Sequence, residues 1–491
     1  MEEIRFVDTT LRDGHQSLWA EGMRTGMILP IAERMDQAGF EAIELVAPSF
    51  FKKACREFKE DIWQRIRLVR QRVVKTPLRG IRNRYMAGFQ VTPACASQLW
   101  LERLAANGIR ELRSSDPSNT AANWAEMVRS ANQVGVATIL NLTFSESPKH
   151  TDDYYVERAR QAAALRPARI CIKDPGALLT PERTRTLVSA VLAVVGDISV
   201  EFHTHCITGL GPMCCYEAIK LGIRSINTAV PPLANGSSNP SLFTVARNAR
   251  ALGYCSAIDE AALVPVQDHF NFIAKRESFA AGAPREYDSY HYRHQVPGGM
   301  ISNFRFQLGK LGMADRIGEV LEETARVRQE LGYPIMVTPY SQFVGVQAAM
   351  NVICGERYRE VTDELIHYAL GTWGEEESGS IDKDIKDKIL NRPRARELRN
   401  WQAPDPTLQE FRAKLDGAGL SDDELLLRYF AGREDVEKMK AAGPVRQYAS
   451  ARQPLMLLIE ELSRQKRFRQ VVVQRGDLSL RLERHGAVGN S

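Results

Sequence analysis

The feature that most constrains this chain is an alternation that repeats eight times. Short apolar runs begin at Ile4 (IRFVDTT), Glu41 (EAIELV), Leu78 (LRGI), Gly108 (GIRELRS), Val136 (VATILNLTF), Ala168 (ARICIKD), Ile198 (ISVEFHTH) and Arg224 (RSINTAV). They recur at intervals of roughly 26 to 37 residues, and helix-like stretches fill the gaps. Examples are GMILPIAERMDQAG (26–39) and NWAEMVRSANQVG (123–135), each ending in the glycine that suits a helix C-terminus. Strand and helix alternating in this way predict an α/β fold, either a closed (β/α)8 TIM barrel or an open doubly wound sheet. The polar residues decide between them. The first run leads into Arg12-Asp13-Gly14-His15-Gln16, the sixth ends in Lys173-Asp174, and the seventh in His203-Thr204-His205. A closed barrel gathers these at one mouth, whereas an open sheet spreads strands 1, 6 and 7 across its width. The sequence therefore predicts a TIM barrel over residues 1–260.

Beyond residue 260 the pattern changes to long helical stretches, such as ADRIGEVLEETARVRQELG and SQFVGVQAAMNVICG. A mainly helical domain over 261–400, packed on the barrel mouth, is expected, followed by a helical extension over 401–450. NRPRARELRNWQAPDP (391–406) reads as a connector, rich in proline and arginine. In the last segment, 451–491, LMLLIEEL predicts a helix and VVVQRGDLSLRLE a β-hairpin, with Val471 and Val473 opposite partners among Leu478, Leu480 and Leu482. This segment is expected either to fold back on its own chain or to dock a partner.

Composition narrows the function classes. A chain of 491 residues with 44% hydrophobic and 25% charged residues is foldable throughout and long enough for two or three domains. The formal net charge is +5, and residues 446–485 alone hold nine basic against four acidic residues, so the rest of the chain is balanced. A basic tail so interrupted by Leu, Val and Glu is a poor nucleic-acid arm, and no nucleic-acid partner is expected. No apolar window approaches ~18 residues, which argues against a membrane span. The start, MEEIRFVDTT, has neither a cationic nor an apolar leader, so a cytoplasmic protein is expected. The eight cysteines form no CxxC pair and read as buried thiols.

His203 and His205 are two apart on a strand, so both imidazoles face the same side and can reach one ion. By itself the pair is equally readable as two hydrogen-bonded polar residues. Asp13 adds an oxygen, giving a donor set for a catalytic divalent metal with an open position, or else it caps the following helix. Lys173 ends an apolar strand. It can pair with Asp174 or Glu201, or serve as a Schiff-base amine, a phosphate ligand, or a carbamate formed with CO2. Arg12, Gln16 and Arg79 offer guanidinium and amide groups suited to a small anion, or to surface ion pairs. Pro297-Gly298-Gly299-Met300-Ile301-Ser302-Asn303 is expected to form a glycine-hinged loop carrying a hydroxyl.

Together these segments resemble the carboxyltransferase domain of biotin-dependent enzymes, a family that includes pyruvate carboxylase, the oxaloacetate decarboxylase α subunit and the 5S subunit of transcarboxylase. The motifs that carry the resemblance are TTLRDGHQS (9–17), ICIKDPGALLTP (170–181), FHTHCITG (202–209), PPLANGSSNPS (231–241), HQVPGGMISN (294–303), YPIMVTPYSQFVGVQAAMNV (333–352) and GERYREVTDE (355–364). The resemblance spans about residues 4–440 and keeps the motif order. It implies a metal, commonly Zn2+ with Mn2+ or Co2+ as alternatives, held by Asp13, carbamylated Lys173, His203 and His205. It implies that Arg12, Gln16 and Arg79 hold a 2-oxo acid such as pyruvate, and that the helical domain completes a biotin pocket. Ser302, with Gly298 and Gly299 beside it, would pass a proton between substrate and biotin.

The sequence departs from the family at Pro175-Gly176, at Ser115-Asp116-Pro117-Ser118-Asn119 and at Ile81-Arg82-Asn83, all at strand ends where acceptor fit is set. No biotin-attachment signature and no ATP-grasp module occur in the sequence, so a separate biotin carrier protein and biotin carboxylase subunit are implied, with a homo-oligomer, dimer or higher. The alternatives are a metal-dependent lyase or aldolase of the same barrel family, a carboxyltransferase with a different small acceptor, and a non-catalytic scaffold subunit.

Overall fold

The computed structural model describes residues 2–88, 91–310, 312–401, 403–443, 445, 458–459, 462, 470–476 and 478–483; at Gly298, Gly299, Ser302, Asn303, Phe306, Gln307, Arg475, Leu478 and Leu480 it describes the backbone alone. Each of the eight expected runs forms a strand. These are β1 (Arg5–Asp8), β2 (Ala42–Val46), β3 (Leu78–Arg82), β4 (Ile109–Ser114), β5 (Ala137–Thr143), β6 (Arg169–Asp174), β7 (Val200–Thr204) and β8 (Ser225–Thr228). All are parallel, and β8 closes on β1 with Val7 opposite Asn227, so the sheet is a barrel without edges. The TIM-barrel expectation is met.

Register determines what fills the barrel. Glu44 pairs with Arg79, Arg79 with Glu111, Ile81 with Arg113, and Lys173 with His203, and register partners on parallel strands share a face. The opposite face packs outward on helices. A Cβ added to Gly80 would lie 3.3 Å from Leu112 and 3.4 Å from Val46, so this outward position has no room to spare. The interior therefore carries ionisable side chains where many such barrels hold branched apolar layers.

Local chemistry adjusts several expected elements. The segment 26–39 is two helices, Thr25–Ile28 and Ala32–Gln37, because Pro30 between them has no N–H to donate. The glycine-hinged loop expected at 297–303 is instead the opening of the helix Gly298–Lys310. The Pro297 carbonyl accepts from Met300 N (2.9 Å) and Ile301 N (3.3 Å), which starts the turn. Within the expected connector 391–406, Pro393 stands at the first position of a short helix, Pro393–Leu398, where its fixed φ is favourable. The hairpin forms as expected, from β9 (Gln470–Arg475) and β10 (Leu478–Glu483), with Val473 opposite Leu480 and Val471 opposite Leu482. The expected helix LMLLIEEL falls mostly outside the described residues.

Two hydrophobic clusters organise the chain. The first holds the barrel and its surrounding helices, and it also takes in Leu263, Val266 and Phe270 from the helix Glu260–Glu277 and Phe411, Leu425 and Phe430 from the helices of 408–431. The second joins Tyr85, in the loop after β3, to apolar residues from Val296 to Leu398. The eight cysteines are unpaired; five are buried, and Cys95, Cys255 and Cys354 are half-buried. No helix among the described residues is long and apolar enough to cross a membrane.

The helix Asp422–Ala431 is strapped to the barrel through Asp423. It takes hydrogen bonds from Arg103 Nε (2.7 Å) and Arg67 Nη1 (2.8 Å), while its carbonyl accepts from Trp63 Nε1 (3.1 Å). Phe430 stacks on Phe51 with ring centroids 4.7 Å apart. Truncating so buried an aromatic removes about 3–5 kcal/mol of packing. Phe430→Ala should therefore loosen 408–441 from the barrel, read as faster amide hydrogen exchange there with protection of β1–β8 unchanged. Equal loss of protection in both regions would show that the strap and the barrel unfold as one unit.

Candidate active site

Three elements bring the ionisable groups to one mouth. Asp13 lies in the wide turn Thr10–Gly14 after β1, His203 on β7, and His205 one residue beyond β7. The three are buried and their donor atoms lie within 4.8 Å of one another. His203 Nε2 is 3.1 Å from His205 Nε2, and Asp13 Oδ2 and Oδ1 are 3.5 and 3.2 Å from those two nitrogens. Ligands about 2.0–2.2 Å from a tetrahedral ion are separated by roughly 3.3–3.6 Å, so these spacings are close to those of three corners of a metal site. Two imidazole nitrogens and a carboxylate converging in this way fit a divalent ion of the Zn2+ class. Burial alone would raise the Asp13 carboxyl, but Arg12, His205 and His203 outweigh it and hold the group well below the usual carboxylate range. The carboxylate is thus charged and ready to bind a cation.

Lys173 is the register partner of His203 and is 7% exposed. Burial, with Arg113 and Arg12 nearby, pushes its ammonium down to about 7. Near neutrality much of the amine is then uncharged, the form in which a lysine is a nucleophile. Its neighbour Asp174 is turned away, accepting from Leu178 N (2.8 Å), Leu179 N (3.0 Å) and Thr204 Oγ1 (3.0 Å). The Lys173–Asp174 pairing considered from the sequence is therefore not formed.

Arg12 and Gln16 are at the same mouth. Arg12 holds Asp13 (2.8 Å) and Glu44 (2.6 Å), while its Nη1 makes a longer bond, 3.3 Å, to Gln16 Oε1. Gln16 also donates to Glu21 at 3.2 Å. Arg79 lies within the barrel, fully buried, between Glu111 (2.8 Å) and Glu201 (2.7 Å), with Glu44 3.8 Å away. Its guanidinium has no open face. Ser302, Gly298 and Gly299 stand on the first turns of the helix Gly298–Lys310.

Sequence reasoning missed the supports behind these groups. Arg113 and Asn227 lie 3.1 and 2.9 Å from His203 Nδ1, and Glu44 and Glu201 hold those two from behind. Arg113 Nη2 lies 2.8 Å from Glu44 Oε1, and its Nη1 reaches Asn227 Oδ1 at 2.6 Å. Burial would raise Glu201, but Arg79 and Arg113 bring it down to about 2. The signal was present: EAIELV, GIRELRS and ISVEFHTH each carry an ionisable residue in mid-strand, within runs otherwise apolar enough for two buried faces. Tyr85, after β3, was also missed, while Asp116, after β4, was read only within a departure from the family; the Tyr85 hydroxyl and Asp116 Oδ2 are buried without a hydrogen-bond partner among the described residues.

Comparison with known proteins identifies the family. A family model described as HMGL-like matches residues 3–269, and one described as a conserved carboxylase domain matches residues 292–453. A pyruvate carboxylase subunit of Methanocaldococcus jannaschii is 34% identical over 390 residues, covering 79% of this chain and 68% of the relative. The 2-oxoglutarate carboxylase large subunit of Hydrogenobacter thermophilus is 31% identical over 439 residues, covering 87% of this chain and 66% of the relative. The solved carboxyl transferase domain of Rhizobium etli pyruvate carboxylase with pyruvate superposes with a TM-score of 0.80 at 22% identity, covering 90% of this chain and 77% of that one, a likeness of fold. The chain belongs to the carboxyltransferase family of biotin-dependent enzymes.

Proposed function

We propose that this chain is the subunit that moves a carboxyl group between carboxybiotin, borne on a separate carrier protein, and a small 2-oxo acid of the pyruvate/oxaloacetate type. The observation that carries the reading is the convergence of Asp13, His203 and His205 beside a buried, partly neutral Lys173, with Arg12 and Gln16 at the same mouth. Asp13, His203, His205 and a carbamate on Lys173 would hold the metal, Zn2+ before Mn2+ or Co2+, which would supply Lewis acidity toward a developing enolate oxygen. The carbamate forms when the neutral Nζ attacks CO2. An N–C bond is made, one C–O π pair moves to oxygen, and a proton leaves the nitrogen to solvent.

The guanidinium groups at the mouth suit an anionic acceptor. Arg12 can offer Nη1 to a substrate carboxylate by giving up only its longest bond, to Gln16, whose amide then also turns to the substrate. Arg79 joins the substrate through a donor released by Glu111 or Glu201, or through the second hydrogen of Nη1, which lies 3.8 Å from Glu44. Ser302, on the helix after Gly298 and Gly299, is the proposed carrier of the proton between the substrate methyl and biotin. The unsatisfied Tyr85 hydroxyl and Asp116 oxygen at the mouth suit the donors and acceptors of a ureido ring. Guanidinium charge in a dry site then stabilises the enolate that attacks CO2, and the reverse path decarboxylates the product.

The partners in this reading are a biotin carrier protein and a biotin carboxylase subunit, with the chain itself in a homo-oligomer in the cytoplasm. The deciding experiment is exchange of labelled pyruvate with oxaloacetate in the presence of a biotinylated carrier, with 2-oxoglutarate as a parallel acceptor. Exchange that needs the carrier supports the proposal. Carbon–carbon cleavage without the carrier would favour the lyase reading, and binding of the carrier without exchange would favour a scaffold.

Two variants test the assignments. Lys173→Arg keeps a cation but cannot form the carbamate, so it should fold normally yet lose both bound metal and exchange, as read by metal analysis and the exchange assay. Retention of stoichiometric metal would remove Lys173 from the ligand set. Ser302→Ala should leave metal content unchanged and slow exchange by ~10²–10⁴-fold, the usual cost of losing a proton-transfer group. Near-parental turnover would assign that proton to another residue.

A further inference from the structure

Asn227, on β8, stands directly behind His203, and its surroundings determine which imidazole nitrogen carries the proton. Its amide Nδ2 donates to Glu201 Oε1 at 2.7 Å. Glu201, tied to Arg79 by two bonds of 2.7 and 3.1 Å, is ionised and can only accept. The amide is thereby oriented with Oδ1 turned the other way. There it accepts from Arg113 Nη1 at 2.6 Å and faces His203 Nδ1 at 2.9 Å. Nδ1 also lies 3.1 Å from Arg113 Nη1, but that nitrogen makes its short bond to Oδ1, and the nearer partner of Nδ1 is the amide oxygen, which places the hydrogen on Nδ1.

A second amide gives the same answer independently. Asn239 Nδ2 donates to the Thr204 carbonyl at 2.8 Å, which fixes that group as the nitrogen end, and it lies 3.3 Å from His203 Nε2. An N–H aimed at Nε2 meets a lone pair, not a second hydrogen. His203 is therefore in the tautomer that leaves Nε2 unprotonated, toward Asp13 and His205.

We infer that Asn227 is a positioning residue of the metal centre: its carbonyl, locked in orientation by Glu201, holds His203 with Nδ1 protonated and Nε2 free to bind the ion. The opposite amide orientation would set NH2 against both Arg113 and Nδ1, move the proton to Nε2, and close that corner of the site. The inference rests on the metal site proposed above and extends it one shell outward, along the chain Arg79, Glu201, Asn227, His203. Partners of this kind typically change metal affinity by 10- to 100-fold.

The test is Zn2+ affinity of the full chain, measured by competition with a chromophoric chelator, together with the visible spectrum of the Co2+ form. Asn227→Leu removes the carbonyl at similar volume and should weaken Zn2+ binding by about 10- to 100-fold. Asn227→Asp keeps an oxygen toward Nδ1, and a proton on its other oxygen replaces the amide hydrogen toward Glu201. It should bind Zn2+ as tightly as the parent or more so, with the Co2+ bands preserved. Glu201→Gln can present NH2 to Asn227, allow the amide to turn over, and should weaken binding by at least about tenfold. The latter two variants carry the test if Asn227→Leu fails to fold. Parental affinity in Asn227→Leu or Glu201→Gln, or a loss in Asn227→Asp as large as in Asn227→Leu, would overturn the inference while leaving the metal site standing. A parent chain that binds no Zn2+ would overturn both.

Discussion

Everything at this mouth depends on the carboxylate of Glu44. It is fully buried, and three guanidinium groups converge on it: Arg12 at 2.6 Å, Arg113 at 2.8 Å and Arg79 at 3.8 Å. Each of those arginines then reaches a different part of the site. Arg12 holds Asp13, Arg113 holds Asn227 beside His203, and Arg79 holds Glu201 and Glu111. Such a lattice is not an economical way to stabilise a fold. Desolvating the ions offsets much of their attraction, and apolar replacements of similar volume are often as stable. Losing one member, however, leaves an uncompensated buried charge and typically costs ~3–5 kcal/mol. Its value here is geometric, because it fixes side chains that must point at one place.

The legible part of the structure follows from periodicity. Strands buried on both faces leave short apolar runs, and their regular spacing identified all eight, each containing the strand found in that segment apart from a residue or so at the ends. The histidines of His203-Thr204-His205 were legible for the same reason, since a two-residue repeat on a strand fixes a shared face. Asp13 was legible as following β1, although it sits in a wide turn and not on the strand.

What was not legible depends on contacts distant in sequence. Arg79 reads as a group for a small anion or a surface ion pair, yet it is buried, and Glu111 and Glu201 enclose it from 32 and 122 residues away. Asn227 carries no motif at all; only its neighbours across β7 reveal it. The segment around Ser302 reads as a loop because two glycines follow a proline. The Pro297 carbonyl and the helix-compatible residues after Met300 outweighed that local preference. Departures such as Ile81 and Pro117 lie at strand ends, where the fold tolerates change more easily than at the barrel waist.

The two hydrophobic clusters have a mechanical consequence. Residues 263–274 and 411–439 belong to the barrel's core, whereas residues from Val296 to Leu398 build the second. The helical lobe is thus an excursion that leaves the barrel and returns to it, clamped at both roots, with the Asp423 strap just beyond its return. Between those roots it is also bonded to the barrel mouth, where Arg328 reaches Ser145 Oγ at 2.9 Å and the Glu146 carbonyl at 3.1 Å, and Lys149 lies 3.5 Å from Glu377. A lobe seated at three places has one resting position on the barrel, so the residues it carries meet the mouth in a fixed register.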